Sequence, residues 1–429
     1  MAGFLGMRGT GSWVTDQRPK NWREMILYLY PNGSAPLTAV LSKISEESTD
    51  DPEFNWWTKA LPKQSGTVTG TYTDTGLSSA LSGATTSGDT VYAKCAEADA
   101  DNFREGHTAL LRDASNQAID GVGKVTVVVK NGANSYVGIK ALEAFHADLN
   151  NTNIDQIYVI GTVNSEGAGS PSAITYDPTK FFNYTQIFRT PLEISRTAKA
   201  TRLRTGDAYK ELKREALELH SIEMEKAFLW GIKSENTGAN GLPERTTDGL
   251  INFINTNASS NVLDYTNDTD LAANSDFASG GAAWVDHGEQ FLDTTLEKIF
   301  RHGSQEKLAF CGSGALLGIQ RLAKATGNIQ LSPQSEAYGI KVVEWITPFG
   351  VITLKTHPLL SYEAGTRNQM IIVEPDKLKY RYITDTTFSD VTSAGIDGLK
   401  EEYLTECGLE VHHPECFGIL KGIGLANAS

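Results

Sequence analysis

The chain has 429 residues, 40% of them hydrophobic and 21% charged, proportions that exclude a disordered or fibrous polypeptide and allow a large buried core. Its net charge of -14 excludes a protein whose main task is holding nucleic acid, because neutralising phosphates needs clustered Lys and Arg. Four cysteines, Cys95, Cys311, Cys407 and Cys416, are too few for a disulfide framework.

The opening "MAGFLGMRGTGSW" lacks the apolar core of a secretory signal, and no run approaches the ~18 consecutive apolar residues of a membrane span. A soluble protein made in a cytoplasm is expected. Arg18, Lys20 and Arg23 form the one basic cluster that stands out, read as a short solvated patch. Asn21 caps a first helix with Glu24 three residues later, and "WREMILYLY" stops against Pro31. Ser34 and Pro36 start a second, with Leu37, Val40, Leu41 and Ile44 at helical spacing. Both are too short and too apolar to stand alone, so residues 1–53 read as an arm laid on something else.

From residue 54 the composition turns to Thr, Val, Gly, Asn and Ser, and a long β excursion with a small inserted β module is predicted up to residue 188. In "KVTVVVKNGANSYVGI", Val125, Val127 and Val129 alternate and Asn131-Gly132 reads as a two-residue hairpin turn. "IDQIYVIGTV" reads as a further strand. Two aromatic seams frame the excursion: "FNWW" at 54–57 leads out and "FFNYTQIF" at 181–188 leads back. These aromatics are expected to anchor a core at the base of the excursion.

"DAYKELKREALELHSIEMEKAFLW", Asp207 to Trp230, contains no glycine or proline and makes a rod of roughly 36 Å. Its apolar residues do not form one stripe: Ala208, Tyr209, Leu212, Ala216, Leu219 and Ile222 share a face, while Leu217, Met224 and Phe228 lie nearly opposite. Such a rod is expected to touch partners on two sides. "GLPERTTDGLINFI" should lie beside its end, and residues 255–283, low in large apolar groups, read as a long surface loop. "AWVDHGEQFLDTTLEKIFRHG" is an amphipathic helix stopped by Gly303. A compact α/β pattern follows: strand "KLAF", helix "GALLGIQRLAKATG", then strands in "KVVEWITPFGVITLKTHPL" and "QMIIVEP". The closing "GLEVHHPECFGILKGI" is extended and half apolar.

Two stretches carry residue types suited to chemistry. Gly312, Gly314 and Gly318 follow a strand and open a helix, as in a dinucleotide-binding turn, but no acidic residue stands at the end of a strand about 20 residues on, and a tight strand-to-helix turn is expected instead. Cys407, His412, His413 and Cys416 are zinc-type ligands within ten residues, yet adjacent histidines on a strand point to opposite faces. His220, mid-helix, reads as a surface or packing histidine. No metal site, cofactor or catalytic set is expected, so the chain is read as no enzyme.

The order of helical arm, β excursion, long helix, β region, compact α/β part and closing strand resembles the major capsid protein of tailed phages, the fold typified by phage Hong Kong 97. The phrases that carry the resemblance are "TDQRPKNWREMILYLYPNGSAPLTAVLSKI", "NYTQIFRTPLEIS", "IFRHGSQEKLAFCGSGAL", "GVITLKTHPLL" and "LEVHHPECFGIL". The resemblance implies an α+β fold with residues 1–53 as N-arm and 54–188 as extended loop carrying the inserted module. It makes 189–304 with 396–429 the peripheral domain, its long helix the spine, and 305–395 the axial domain. It further implies a virion protein, made in the host bacterial cytoplasm, that self-assembles into hexamers and pentamers of an icosahedral head. Implied partners are identical subunits, scaffolding, portal and decoration proteins, and double-stranded DNA enclosed without specific binding, with no membrane. Contacts between copies are expected at Trp56, Trp57, Leu217, Met224 and Phe228. Some relatives join subunits by an isopeptide bond; Lys59 and Lys63 stand near the loop base, but no partner is assignable and no cross-link is expected. A nucleotide-binding enzyme using the Gly312–Gly318 turn, or another virion structural protein, are the alternatives.

Overall fold

The computed structural model describes residues 37, 46–59, 61–167, 169–201, 207–267, 283–326, 330–331, 335–337, 340–362 and 365–426. The two helices expected before residue 46 therefore lie outside the described residues, except that Leu37 is helical and fully buried. The chain forms two bodies, one of residues up to Thr58 with those from Lys180 on, and one of Lys59–Thr179.

The first body begins with β1 (Glu46–Ser48) and β2 (Glu53–Thr58). The second body then supplies β3 (Ser65–Tyr72), β4 (Thr90–Cys95), α1 (Glu97–Ala100), β5 (His107–Arg112), β6 (Gly121–Val129), β7 (Tyr136–Ala141) and β8 (Gln156–Thr162). Its strands close an antiparallel barrel in the order β3-β4-β7-β6-β5-β8. Period-2 side chains such as Val91, Ala93, Ala109, Leu111, Val137 and Ile139 point inward, and Phe103, Phe145 and Leu149 plug the interior. Gly123 allows strands to close up: a Cβ there would sit 2.3 Å from Ile139 Cγ2. The β6–β7 hairpin differs from expectation in two ways. A bulge between Val125 and Val127 breaks the alternation, so Val125 is buried while Val127 and Val129 are half-exposed. The turn is also longer than two residues, because Asn131 has φ -151 and only Gly132, at φ 52, is left-handed.

Back in the first body come β9 (Thr179–Tyr184), β10 (Gln186–Ser195), α2 (Arg196–Ala200) and α3 (Ala208–Trp230). The hairpin β11 (Ser234–Thr237)–β12 (Pro243–Thr246) and α4 (Leu250–Asn257) follow. Next are β13 (Val262–Asp264), α5 (Trp284–Phe300), β14 (Glu306–Cys311) and α6 (Ser313–Thr326). Then come β15 (Gln330–Leu331), β16 (Ser335–Ala337), β17 (Ile340–Thr347), β18 (Gly350–Thr356), α7 (Pro358–Tyr362) and β19 (Met370–Val373). The chain closes with β20 (Leu378–Asp390), β21 (Gly398–Val411) and β22 (Gly418–Lys421).

Two sheets organise this body. One runs β1-β20-β21-β10, with β1 parallel to β20 and the rest antiparallel. The other is mixed, β13-β22-β19-β14-β18-β17-β15, with β16 paired to β17. The runs "KLAF" and "MIIV" are apolar on both faces because the mixed sheet is covered on both. Leu308, Phe310, Ile371 and Val373 face α3, α4 and the four-stranded sheet, while Ala309, Cys311, Met370 and Ile372 face α5 and α6. Residues 258–267, expected within a surface loop, instead place β13 beside β22 and bury Tyr265 against Trp284 and Phe291; residues 268–282 lie outside the described set.

Asp207 caps α3 by accepting from the Tyr209 N–H at 3.0 Å. The helix buries a winding line, broadened at its C-terminal end by Glu225 and Leu229, rather than two opposed stripes. Ala216, His220, Met224 and Phe228 step by four residues, and each is turned about 40° from the last. Ala216 thus packs on Leu192 and Tyr403 of the four-stranded sheet, whereas Met224 and Phe228 enter the larger core with Phe253 and Leu409.

Candidate interaction surfaces

The glycines of the β14–α6 turn serve the fold. The Gly314 and Ala315 N–H groups both donate to the Arg367 carbonyl at 3.0 Å, and the Gly312 N–H donates to that of Gln369 at 2.9 Å. A Cβ at Gly312 would lie 2.2 Å from the Arg367 oxygen, and one at Gly318 would lie 2.8 Å from Gly424 Cα. The donors that a pyrophosphate would need are occupied, and the space it would need is filled by backbone. This removes the physical basis of the dinucleotide alternative.

The Cys and His residues of the closing strand also fail to converge. Cys407 is fully buried beside Tyr380, and burial pushes its thiol up to about 12. His412 Nε2 bonds Glu410. His413 takes a left-handed φ of 51 at the turn after β21. Among the described residues no group of three or more His, Cys, Asp or Glu is placed to hold a metal.

Buried polar groups pin the first body together. His220 lies between Thr190 Oγ1 at 3.0 Å and Thr405 Oγ1 at 2.8 Å, joining α3 to β10 and β21. Burial lowers its pKa, against an opposing pull from Glu223, so it is a neutral packing histidine. Asn183 Nδ2 donates to the Leu409 carbonyl at 2.7 Å while its Oδ1 accepts the Asp248 N–H at 2.7 Å, which fixes the returning aromatic seam. Lys307 and Glu374 form a buried pair at 3.1 Å, and the ammonium also donates to the His302 and Cys416 carbonyls. Such pairs carry no sequence signature, since their partners are up to 226 residues apart.

The five residues expected at contacts between copies separate by exposure. Trp56 is buried, stacked at 6.0 Å on Phe54 and 6.1 Å on Phe181, as core anchoring of the seam predicts. Met224 and Phe228 are buried too, so these three differ from the expectation of free contact side chains: the winding of α3 and the pairing of β2 with β9 cover them with their own chain. Trp57, on the opposite face of β2, is 61% exposed, and Leu217 is 43% exposed. These two leave apolar surface open to solvent. Lys59 and Lys63 are both exposed.

Two concave surfaces stand out. On the barrel, Arg104, Lys124, Thr126, Ser165 and Ser172 rim a pocket of about 660 Å³. In the first body a groove of about 530 Å³ runs between the β11–β12 hairpin and the start of β10. Its apolar floor is Ile187, Leu242 and Pro243, with the first two 58% and 62% exposed; Glu244, Arg245 and Glu406 supply its charge.

The profile of a family described as SU10 major capsid protein matches residues 8–424. A protein of Pseudomonas phage PaMx41 described as a major capsid protein is 25% identical over 386 residues, covering 89% of this chain and 83% of that one. A solved structure from Mycobacterium phage Adephagia is 8% identical, covers 95% of each chain and superposes with a TM-score of 0.43. The capsid of Myoviridae phage XM1 is 13% identical over 60% of this chain and 80% of that one, with a TM-score of 0.37.

Proposed function

The chain belongs to the SU10 major capsid protein family, and from that premise we propose how this major capsid protein of a tailed phage builds its shell. Copies assemble as hexamers and pentamers into an icosahedral head. The observation that carries this reading is the family match across residues 8–424, on a chain whose largest exposed side chains include Trp57, Ile187, Leu217 and Leu242. Apolar surface of that size on several faces is what a subunit with several neighbours needs.

Within this reading residues 1–53 are the N-arm, 54–188 the extended loop with its barrel, and α3 the spine of the peripheral domain. The peripheral domain takes 189–304 and 396–429 and the axial domain 305–395, with one adjustment that the pairings support. β20 pairs with β21 over Leu378–Asp390, so it goes with the spine's sheet, while β13 and β22 go with the mixed sheet of the axial part. Trp57 and Leu217 face neighbouring copies. Scaffolding, portal and decoration proteins are the further partners, and the net charge of -14 suits a shell that encloses DNA without gripping it. The protein is synthesised in the host cytoplasm and resides in the virion, and no catalytic role is assigned to it.

Negative-stain microscopy of the overexpressed chain tests this. Closed shells or capsomers are expected; discrete small oligomers, or rods and tubes, would overturn it.

A further inference from the structure

We propose that the groove between the β11–β12 hairpin and β10 receives the basic segment Arg18–Arg23 of a neighbouring copy. The inference rests on the shell reading above and names a partner for one of its surfaces. The groove is acidic with an apolar floor. Glu244 and Glu406 line it, and its one guanidinium, Arg245, is already paired with Glu235 at 3.0 Å. Among the described residues no cation pairs with Glu244 or Glu406; the Glu406 carboxylate accepts only the Thr185 hydroxyl, at 3.1 Å. Ile187 and Leu242, on the floor, are open to solvent. A fitting occupant is cationic and carries a large apolar side chain.

"RPKNWR" has this chemistry. Arg18, Lys20 and Arg23 supply three positive charges with no acidic residue among them, in a chain whose balance is -14. Trp22 supplies apolar area, and Pro19 holds the residue before it out of helix. The tether is fixed as well. Leu37 is buried in its own subunit's core and its backbone N–H is held by Glu225 at 2.7 Å. The chain from Arg23 to Leu37, 37 - 23 = 14 steps, spans at most about 50 Å extended, which permits a visit to an adjacent copy but not a distant one.

Two measurements on the full chain test this. In assembled particles of a Lys20→Cys and Glu244→Cys double variant, oxidation is expected to link copies into a ladder on non-reducing gels. A Lys20→Cys and Leu317→Cys control is expected to give none. All four native cysteines are buried, which keeps the background low. No ladder above the control, or a link within one chain, would overturn the proposal. In the second measurement, reversing Arg18, Lys20 and Arg23 to Glu is expected to raise the concentration needed for shells about tenfold, from loss of the two ion pairs that Glu244 and Glu406 can make and the repulsion that replaces them. Adding Glu244→Lys and Glu406→Lys is expected to restore assembly. Unaltered assembly of the triple variant, or no rescue by the swap, counts against the groove while shells of the unaltered chain leave the shell reading standing. Absence of shells from the unaltered chain removes both.

Discussion

Glu225 and His357 meet inside the protein: Oε1 of the first lies 2.7 Å from Nε2 of the second, and neither side chain is exposed. The same oxygen accepts the Leu37 N–H, so three segments far apart in the chain are tied at one atom. A carboxylate offers acceptors only, so the imidazole supplies the hydrogen. Glu225→Leu should therefore strand two buried donors and destabilise the folded chain by about 3–5 kcal/mol. Glu225→Gln keeps an acceptor oxygen and should cost less, about 1–3 kcal/mol. Denaturant unfolding gives the two values. Hydrogen exchange should show Leu37 losing protection before the middle of α3 does; equal protection in the Leu variant would mean that the bond does not hold the arm.

Leu217 and Met224 sit on the same helix and should respond differently to the same substitution. Leu217→Asp places a charge on a surface that is already 43% exposed, so the subunit should fold and fail only to close shells. Met224→Asp buries an unpaired carboxylate in the core and should cost several kcal/mol, about 3–5, leaving little soluble protein. Circular dichroism and particle counts separate the two. Normal shells from Leu217→Asp would remove that face from the assembly contacts.

Gly318 touches Gly424 backbone to backbone, and the methyl of Gly318→Ala would meet Gly424 Cα at 2.8 Å. Neither backbone is a flexible side-chain end that can swing aside. The substitution should cost about 1–3 kcal/mol as overpacking and lower the melting temperature. Nicotinamide and adenine nucleotides should leave the melting temperature of the unaltered chain where it is, because the turn's N–H groups already serve Arg367 and Gln369. A nucleotide-dependent rise would restore an enzymatic reading.

Glu410 gives the fold an acid limit. Burial alone would raise its pKa, but hydrogen bonds from His412 and Arg381, with the guanidinium's charge, outweigh that and hold it below the ordinary glutamate value of 4.5. A lowered folded-state pKa means that the stabilisation is fully present above the ordinary carboxylate range and is lost as pH falls through the lowered value. Arg381 also binds Glu47 at 2.8 Å, so the loss should loosen β1 from β20. Glu410→Gln should flatten the unfolding curve below about pH 4.5 while lowering stability at neutral pH. An unchanged acid limb would assign acid sensitivity to other carboxylates.

How far the fold could be read from the chain follows from the reach of each signal. The long helix, α5 and the apolar strands around Phe310 and Ile371 announce themselves through local periodicity. Local signals do not carry pairing partners, so the barrel order, with its bulges at Val68/Gly70 and Val125/Val127, was not foreseeable. β20 carries no clear local strand signal, because "LKYRYITDTTFSD" is half-exposed and polar along much of its length. β13 is three residues among Asn and Ser, and only β22, more than 150 residues on, makes it a strand. Ala216 and Met224 belong to different stripes of the local pattern although they lie only about 80° apart round α3, and no local pattern shows that the surroundings change along the rod so that one burial line follows both. The latch at Glu225 and the groove at Ile187 arise from residues that meet only after folding.

β2 and β9 are the two sides of one ladder, so the polypeptide leaves the first body and returns to it about one strand spacing apart, near 5 Å. The barrel carried between them closes on itself, with β3 and β8, its first and last strands, paired at Gly66 and Ile157. Such a module is a cassette in chain topology: one ladder carries the polypeptide both out and back, so a foreign domain with adjacent termini can be spliced at the same joint. The same joint lets the inserted module vary independently of the two sheets, and offers engineers a site for displaying cargo.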